Sequence, residues 1–398
     1  MANPLYAQWV EVSPAPDGFL TDHTYGFGLD GKGYLVAGTD EVGNVRDDFY
    51  QYDPATDSFT QLDDFPGGAR GFAIGDTWDG KAYFGFGLTS SNQLRRDLWS
   101  FDPATMEWTQ LADCPGVPRF HPAMIAHNDK VYVGLGGGNN GNLKDWWIYD
   151  IATDAWSRGP DFPSIARHHP YQFGVGDHVY VGFGHGPNVN NQLVIFNEWY
   201  RYDPATEEWD EMATLPAEGR VAGQQFSHND KGYVLSGEGR DHSAMEEGEF
   251  WAYDPVEDEW EAMPSHPGNS RWAPASFVVN DEVYIYNGIV YGFGPALSVE
   301  AAYKFKLDEG DVMASAPSLI NNTQLFLSPN PANNFLLMED HSRSLLTGQF
   351  TILDALGRTR MTFDFEGKKV IGINELENGV YILRAHDGSA AKQFIVAR

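Results

Sequence analysis

One motif, read five times in the same chain, constrains this sequence more than any other feature. It appears as YDPATDSF (Tyr52 to Phe59), FDPATMEW (Phe101 to Trp108), YDIATDAW (Tyr149 to Trp156), YDPATEEW (Tyr202 to Trp209) and YDPVEDEW (Tyr253 to Trp260). Its anchors Asp53, Asp102, Asp150, Asp203 and Asp254 are spaced by 49, 48, 53 and 51 residues. A chain that repeats at one period builds one structural unit per repeat and buries each unit against its neighbours.

Two further marks recur in phase. A Tyr is followed four residues later by Gly, starting at Tyr34, Tyr83, Tyr132, Tyr180, Tyr233 and Tyr284. Arg70, Arg119, Arg167, Arg220 and Arg271 each stand 17 residues after an Asp anchor and 13 before the next Tyr. The length changes all fall between the Tyr and the next Asp, at 19, 19, 18, 23 and 21 residues. Constant offsets mark a packed framework and variable ones mark loops. Within a unit, period-two patterning predicts four short strands, in the second unit FAIGDTW, AYFGFG, DLWSFD and EWTQL. Asp79-Gly80, Asn128-Asp129, Gly176-Asp177, Asn229-Asp230 and Asn280-Asp281 suit tight hairpins between the first two strands, because these residues tolerate positive φ.

The sixth unit has its Tyr284 strand and a third strand near Ala302 to Leu307, but no closing Trp follows. The segment Gln8 to Pro14, QWVEVSP, resembles EWTQLADCP and is expected to supply the missing strand and close the ring. The prediction is an all-β chain with a six-bladed propeller over 8–308, since closure removes exposed strand edges. These marks resemble the kelch-repeat family. The sequence departs from the family pattern in places: only the third unit has a Gly pair after its Tyr strand, Thr21 stands at the first Arg position, and Lys306 stands at the last Asp position.

After Leu307 the composition changes. Residues 309–324 read as a small, polar linker. Residues 325–398 alternate apolar strands with Pro-Asn, Gly and Asn-Gly turns, which predicts a small β-sandwich. Pro329-Asn330-Pro331-Ala332, Asp354 to Arg358 (DALGR), Asn378 to Arg384 (NGVYILR) and the final strand from Lys392 resemble the C-terminal sorting domain of the type 9 secretion system of Bacteroidota. That resemblance implies that the secretion machinery recognises residues 325–398, that the chain is exported across the outer membrane of a Gram-negative cell, secreted or surface-held, and that the tail is cleaved on arrival. Residues 1–7 read as a disordered start or the end of a trimmed signal peptide, since LYAQ resembles such an end.

Charge and cysteine content exclude several functions. With 56 acidic against 26 basic residues, the net charge of −30 argues against a nucleic-acid partner. Cys114 is the single cysteine, so no intrachain disulfide forms. No run of 18 apolar residues predicts a membrane span. A monomer is expected. No nucleotide-binding loop, serine-hydrolase elbow or His-Glu-x-x-His motif is present. A copper radical site of the galactose oxidase type is not matched, because Cys114 lies in the ADCPG turn without a corresponding His pair.

The variable loops should share one face with the Arg positions, making that the binding face. Regular acids stand five before each Asp anchor (Asp48, Asp97, Asp145, Glu198, Glu249), so Arg70, Arg119, Arg167, Arg220 and Arg271 read either as ligand contacts or as structural ion pairs. Two positions past the Arg, the sequence runs His23, Phe72, His121, His169, Ala222 and Ala273, on the inner strand near the channel mouth. His168 and His185 add to the fourth unit. A polar or aromatic ligand pocket is expected there, with no metal and no cofactor, because His23, His121 and His169 belong to units one, three and four and should stand too far apart. In the fifth-unit loop, Glu238, Arg240, Asp241 and His242 could form an acid–base set. Six-bladed kelch proteins include sialic acid epimerases, whose use of Glu and Arg from such loops is similar. The expected function is therefore a secreted or surface module binding a glycan or protein. The alternative is a carbohydrate-active epimerase, mutarotase or lyase.

Overall fold

The computed structural model describes residues 9–187, 190, 192–245, 247–291, 297–307, 325–328, 332–340, 347–354, 358–385 and 391–396. The expected signal-peptide remnant (1–7), the linker (309–324) and Pro329-Asn330-Pro331 lie outside them. The chain divides between Gly310 and Asp311 into two compact units. Among the described residues no helix is long and apolar enough to cross a membrane.

Among the described residues, the first unit holds six four- or five-stranded antiparallel sheets with the same internal order, besides short two-stranded pairings in the loops. The second blade runs from inner to outer strand as Ile74–Trp78, Lys81–Gly85, Leu98–Asp102 and Glu107–Gln110. Its neighbours follow the same plan, and the innermost strand of each packs against that of the next. The sixth sheet consists of Ala275–Val279, Glu282–Tyr286, Ala302–Lys306 and, from the other end of the chain, Val10–Val12. Val10 pairs with Lys304 and Val12 with Ala302. The inner strand Ala275–Val279 lies against Tyr25–Leu29 of the first blade. The approach is so close that a Cβ on Gly28 would fall 1.9 Å from the carbonyl of Val278.

The repeating residues now have mechanical roles. In the hairpins between first and second strands, Asp79-Gly80, Asn128-Asp129, Asn229-Asp230 and Asn280-Asp281 hold φ near +50 to +70° at both positions, the geometry that matches strand twist. In the opening motif, the Asp203 carboxylate accepts the N–H of Ala205 at 2.8 Å. Glu207 and its equivalents Asp57, Met106, Asp154 and Asp258 take the left-handed conformation. The closing aromatic reaches the preceding blade: Trp209 meets Trp146 edge-on at 5.0 Å, Trp260 meets Trp199 at 5.4 Å and Phe59 meets Tyr286 at 5.4 Å. Burying such rings stabilises blade against blade by about 1.5–3 kcal/mol each.

The Tyr-x-x-x-Gly mark also joins blades. The Gly N–H donates to the carbonyl of the Arg-position residue of the next blade: Gly87 to Arg119, Gly136 to Arg167, Gly184 to Arg220, Gly237 to Arg271, and Gly288 to Thr21. Gly136 has φ +91°, and a Cβ there would lie 2.8 Å from the carbonyl of Phe120, so only glycine fits. Thr21, which replaces the first Arg, keeps this backbone contact.

The second unit has two sheets. One orders Leu325–Ser328, Phe335–Asp340 and Lys368–Gly372; the other orders Thr359–Glu366, Thr347–Asp354, Gly379–Ala385 and Ala391–Val396. Leu336 and Met338 of the first share one core with Ile352, Leu383 and Phe394 of the second, which is the period-two pattern of a sandwich.

The five arginines of the repeat are inside the blades. Their exposure is 0–2 %. Arg119 pairs with both oxygens of Asp145 at 2.6 and 2.7 Å and donates to the carbonyl of Leu135. Arg70 repeats the arrangement with Asp97, while Arg167 and Arg220 each reach one oxygen, of Glu198 and Glu249 respectively, at 2.8 Å. Burial pushes the Asp145 carboxyl up, but Arg119 overrides it and holds the pKa below the ordinary value. Arg119→Leu should therefore destabilise the propeller by about 3–5 kcal/mol, because Asp145 is left buried and unpaired. Arg201→Ala, which breaks the exposed pair with Asp210, should cost under about 1 kcal/mol. Urea unfolding followed by tryptophan fluorescence checks both, since all 12 Trp lie at or before residue 272.

Candidate functional site

The site forms where the segment after each Arg position turns into the inner strand. His23, Phe72, His121, His169, Ala222 and Ala273 all adopt left-handed backbone, with φ from 44 to 61°. Such a conformation costs a non-glycine residue about 1–2 kcal/mol. Its return is a second chain of inter-blade bonds near the axis: His23 N–H to Ala273, Ala273 to Ala222, His121 to Phe72 and His169 to His121. Ala222 and Ala273 adopt the same strain as the histidines, so the architecture demands it and the chemistry exploits it.

The propeller axis brings these residues together. His23 on the first blade and His169 on the fourth face each other across the ring, Nε2 to Nε2 at 3.2 Å. The expectation that units one, three and four hold their histidines too far apart is corrected here: the ring is narrow enough at this level for opposite blades to touch. His121 stacks on His169 with centroids 3.2 Å apart and on His23 at 4.7 Å. His185, just after Gly184 in the fourth-blade loop, places Nε2 3.4 Å from His169 Nδ1 and 2.5 Å from His168 Nε2. His242, in the short helix Arg240–His242, sets Nε2 2.9 Å from His185 Nδ1. Six of the chain's 12 histidines thus lie in one contiguous cluster.

The electrostatics follow from burial. Desolvation pushes His121, His169 and His185 far below the usual histidine value, with mutual repulsion adding to the effect. Burial first, then the nearby His242, brings His168 down to about 4. These imidazoles are neutral at neutral pH. The carboxylate of Asp22 contacts His23 Nδ1 directly. At the other end, Glu238 is 1 % exposed and its Oε2 lies 3.6 Å from His242 Nδ1. Burial raises its pKa, against the opposing pull of His242. Glu238 Oε1 and both ring nitrogens of His121 are buried without a hydrogen-bond partner.

Aromatic side chains frame the cluster. Phe72 lies 4.5 Å from His23 and 4.6 Å from His121. Phe120 meets His121 and His168, and Trp272 meets His169 at 4.9 Å. The sequence reading passed over Asp22, Phe120, Asn142 and Trp272. Asp22, Phe120 and Trp272 were recoverable, since all three sit one position before the ring residue, beside His168 in the fourth blade. Asn142 lies in a loop whose fold no offset predicts. Of the proposed acid–base set, Glu238 and His242 join the cluster. Arg240 is exposed and held through its backbone N–H by Glu218 at 2.9 Å. Arg70, Arg119, Arg167, Arg220 and Arg271 stay in the blade walls. Arg271 has no acid at the repeat position; it donates to the carbonyl of Asn287 and lies over the Tyr303 ring, and burial lowers its pKa to about 10. Asp48, whose Arg position is Thr21, takes Arg46 instead at 2.7 Å.

A family model described as the KLHDC2/KLHL20/DRC7 Kelch-repeats domain matches residues 29–237. The chain belongs to the kelch-repeat family. A model for the secretion system C-terminal sorting domain matches residues 327–397, so this kelch propeller carries the signal for type 9 export to the cell surface or the outside. A solved structure titled "Structure of YjhT" is similar in fold, with a TM-score of 0.54 and 16 % identity over 61 % of this chain and 84 % of that one. A search of curated proteins gave no match.

The depressed histidines give a pH prediction. The unfolded chain takes up protons near pH 6.5 that folded His168 refuses until about pH 4. Stability should therefore fall as pH drops through this window. With EDTA present, His168→Gln should flatten that slope in denaturation midpoints measured from pH 7 to 4.

Proposed function

We propose that this kelch protein is an exported binding module that captures a glycan, in preference to a protein, at the axial mouth of its variable-loop face. The observation that carries this reading is the lining of the mouth. Phe72, Phe120 and Trp272 stand half-buried around a histidine cluster, and the inter-blade bonds there use backbone, which leaves these side chains to a ligand. Aromatic faces stack on the apolar faces of sugar rings, and imidazole and carboxyl groups bond their hydroxyls. Two of the three longest connections, those after Tyr180 and Tyr233, supply His185, Glu238 and His242 to the same mouth. The opposite face carries only short turns such as Asp203 to Glu207.

Screening the propeller-containing chain on a glycan array tests this. Trp272→Ala should weaken any glycan found by at least about tenfold, as truncation of an aromatic hot spot does, while Glu207→Ala on the opposite face leaves it unchanged. Equal loss in both variants, or binding that survives Trp272→Ala, would remove the mouth as the recognition site.

Glu238 favours a second reading, a carbohydrate epimerase or mutarotase. A buried carboxyl with a raised pKa and an adjacent imidazole is the pairing that general acid catalysis requires. On that reading, interconversion of sugar anomers falls by 10²–10⁴-fold in Glu238→Gln and is untouched in Glu207→Gln. Wild-type protein that leaves the anomer ratio of sialic acid and common reducing sugars unaltered sinks it.

A further inference from the structure

The geometry points to a transition-metal site at the axis: we propose that Nε2 of His168, Nδ1 of His169 and Nε2 of His185 bind one borderline divalent cation of the zinc, cobalt or copper type, with a coordination position left for an exchangeable ligand. The proposal stands apart from the identity of any glycan.

Three observations carry it. The first is convergence. One ligand atom from each of His168, His169 and His185 lies within 4.8 Å of the others. Metal–nitrogen bonds of 2.0–2.1 Å at tetrahedral angles place ligand nitrogens about 3.4 Å apart, and His169 Nδ1 to His185 Nε2 is 3.4 Å. His168 and His185 approach more closely, and a small rotation opens that edge. The ring planes are inclined to each other by 35, 51 and 47°, so their in-plane lone pairs can meet at one point. The other candidate trio, His23, His121 and His169, fails this test, because His121 lies nearly parallel on His169 at 28° and stacked rings do not aim at a common atom.

The second is the outer shell. A metal-bound imidazole keeps a proton on its other nitrogen and donates it to a fixed acceptor. His168 Nδ1 is 2.9 Å from Asn142 Oδ1. His185 Nδ1 is 2.9 Å from His242 Nε2, and His242 Nδ1 faces Glu238. His169 Nε2 is 3.2 Å from His23 Nε2, whose Nδ1 meets Asp22. One proton assignment suits these contacts: His168 donates to Asn142, His185 donates to His242, whose Nδ1 faces Glu238 at 3.6 Å, and His169 donates through His23 to Asp22. Two of the three relays thus end on carboxylates.

The third is what that assignment leaves inside. With all outer nitrogens protonated, three lone pairs face one another, an arrangement that a shared proton, a water or a cation relieves and that a cation satisfies at all three at once. Neutral imidazole is the form that binds metal. All-nitrogen ligation suits zinc, copper and related ions over magnesium or calcium.

The test uses untagged full-length protein stripped with EDTA. Calorimetric titration with Zn2+ should give one site per chain, and Co2+ should give the intense visible absorption of a four- or five-coordinate ion. His168→Gln and His185→Gln should each weaken Zn2+ by at least about tenfold, while Asp22→Asn and Glu238→Gln, acting through the outer shell, should weaken it 10–100-fold. His178→Ala, on a hairpin at the other end of the blade, should bind as wild type. Absence of saturable Zn2+ binding and of the Co2+ spectrum in wild type overturns the site whether or not the variants fold. Binding retained in a folded His168→Gln/His185→Gln protein overturns it as well.

Discussion

The structure hangs on a hydrogen bond that crosses from one blade to the next at five of the six junctions. The Gly closing the Tyr strand donates its N–H to the carbonyl at the next blade's Arg position, and the sixth blade returns it to Thr21. Because the acceptor is backbone, the contact survives when the side chain changes from Arg to Thr. Because the donor sits in left-handed backbone with another strand pressed against its Cα, the position requires glycine. A ring of such bonds fixes the radius at which every inner strand begins.

That radius sets what the axis can hold. With six blades, residues two positions past the Arg site meet across the channel, so His23 and His169 touch although 146 positions separate them in sequence. The buried Arg–acid pairs hold the loop between second and third strands against the wall, and those loops deliver His185, Glu238 and His242 above the ring. A buried ion pair adds little net stability. Its value here is registration: it clamps each loop at its far end, by the acid beside the third strand, while the remainder is left to vary.

The rings of the cluster show how position converts ordinary histidines into a reactive set. His168, His169 and His185 are neutral because burial penalises their charge and neighbouring imidazoles would repel it. Each is oriented because its outer nitrogen meets Asn142, His242 or His23. Phe72, Phe120 and Trp272 pack against the rings from the sides. Binding of a polar ring, acid–base work by Glu238 and coordination of a cation all draw on these same few groups.

Much of this was legible in the chain itself. Invariant offsets of 17 and 13 residues around each Arg gave the blades, their turns and the face that varies, since a constant offset is the trace of a packed contact. The six ring positions inherit that register, which is why all six share one left-handed backbone conformation. The meeting of His23, His121 and His169 was not legible, nor were the parts played by Asn142 and Asp22. Sequence fixes where a residue lies along its strand, but distance across the axis depends on how far six sheets twist and lean together, and on loops whose variable lengths carry no period. The repeat by itself determined the blades. Only closure of the ring, which turns separation along the chain into contact through space, decided that the histidines form one site.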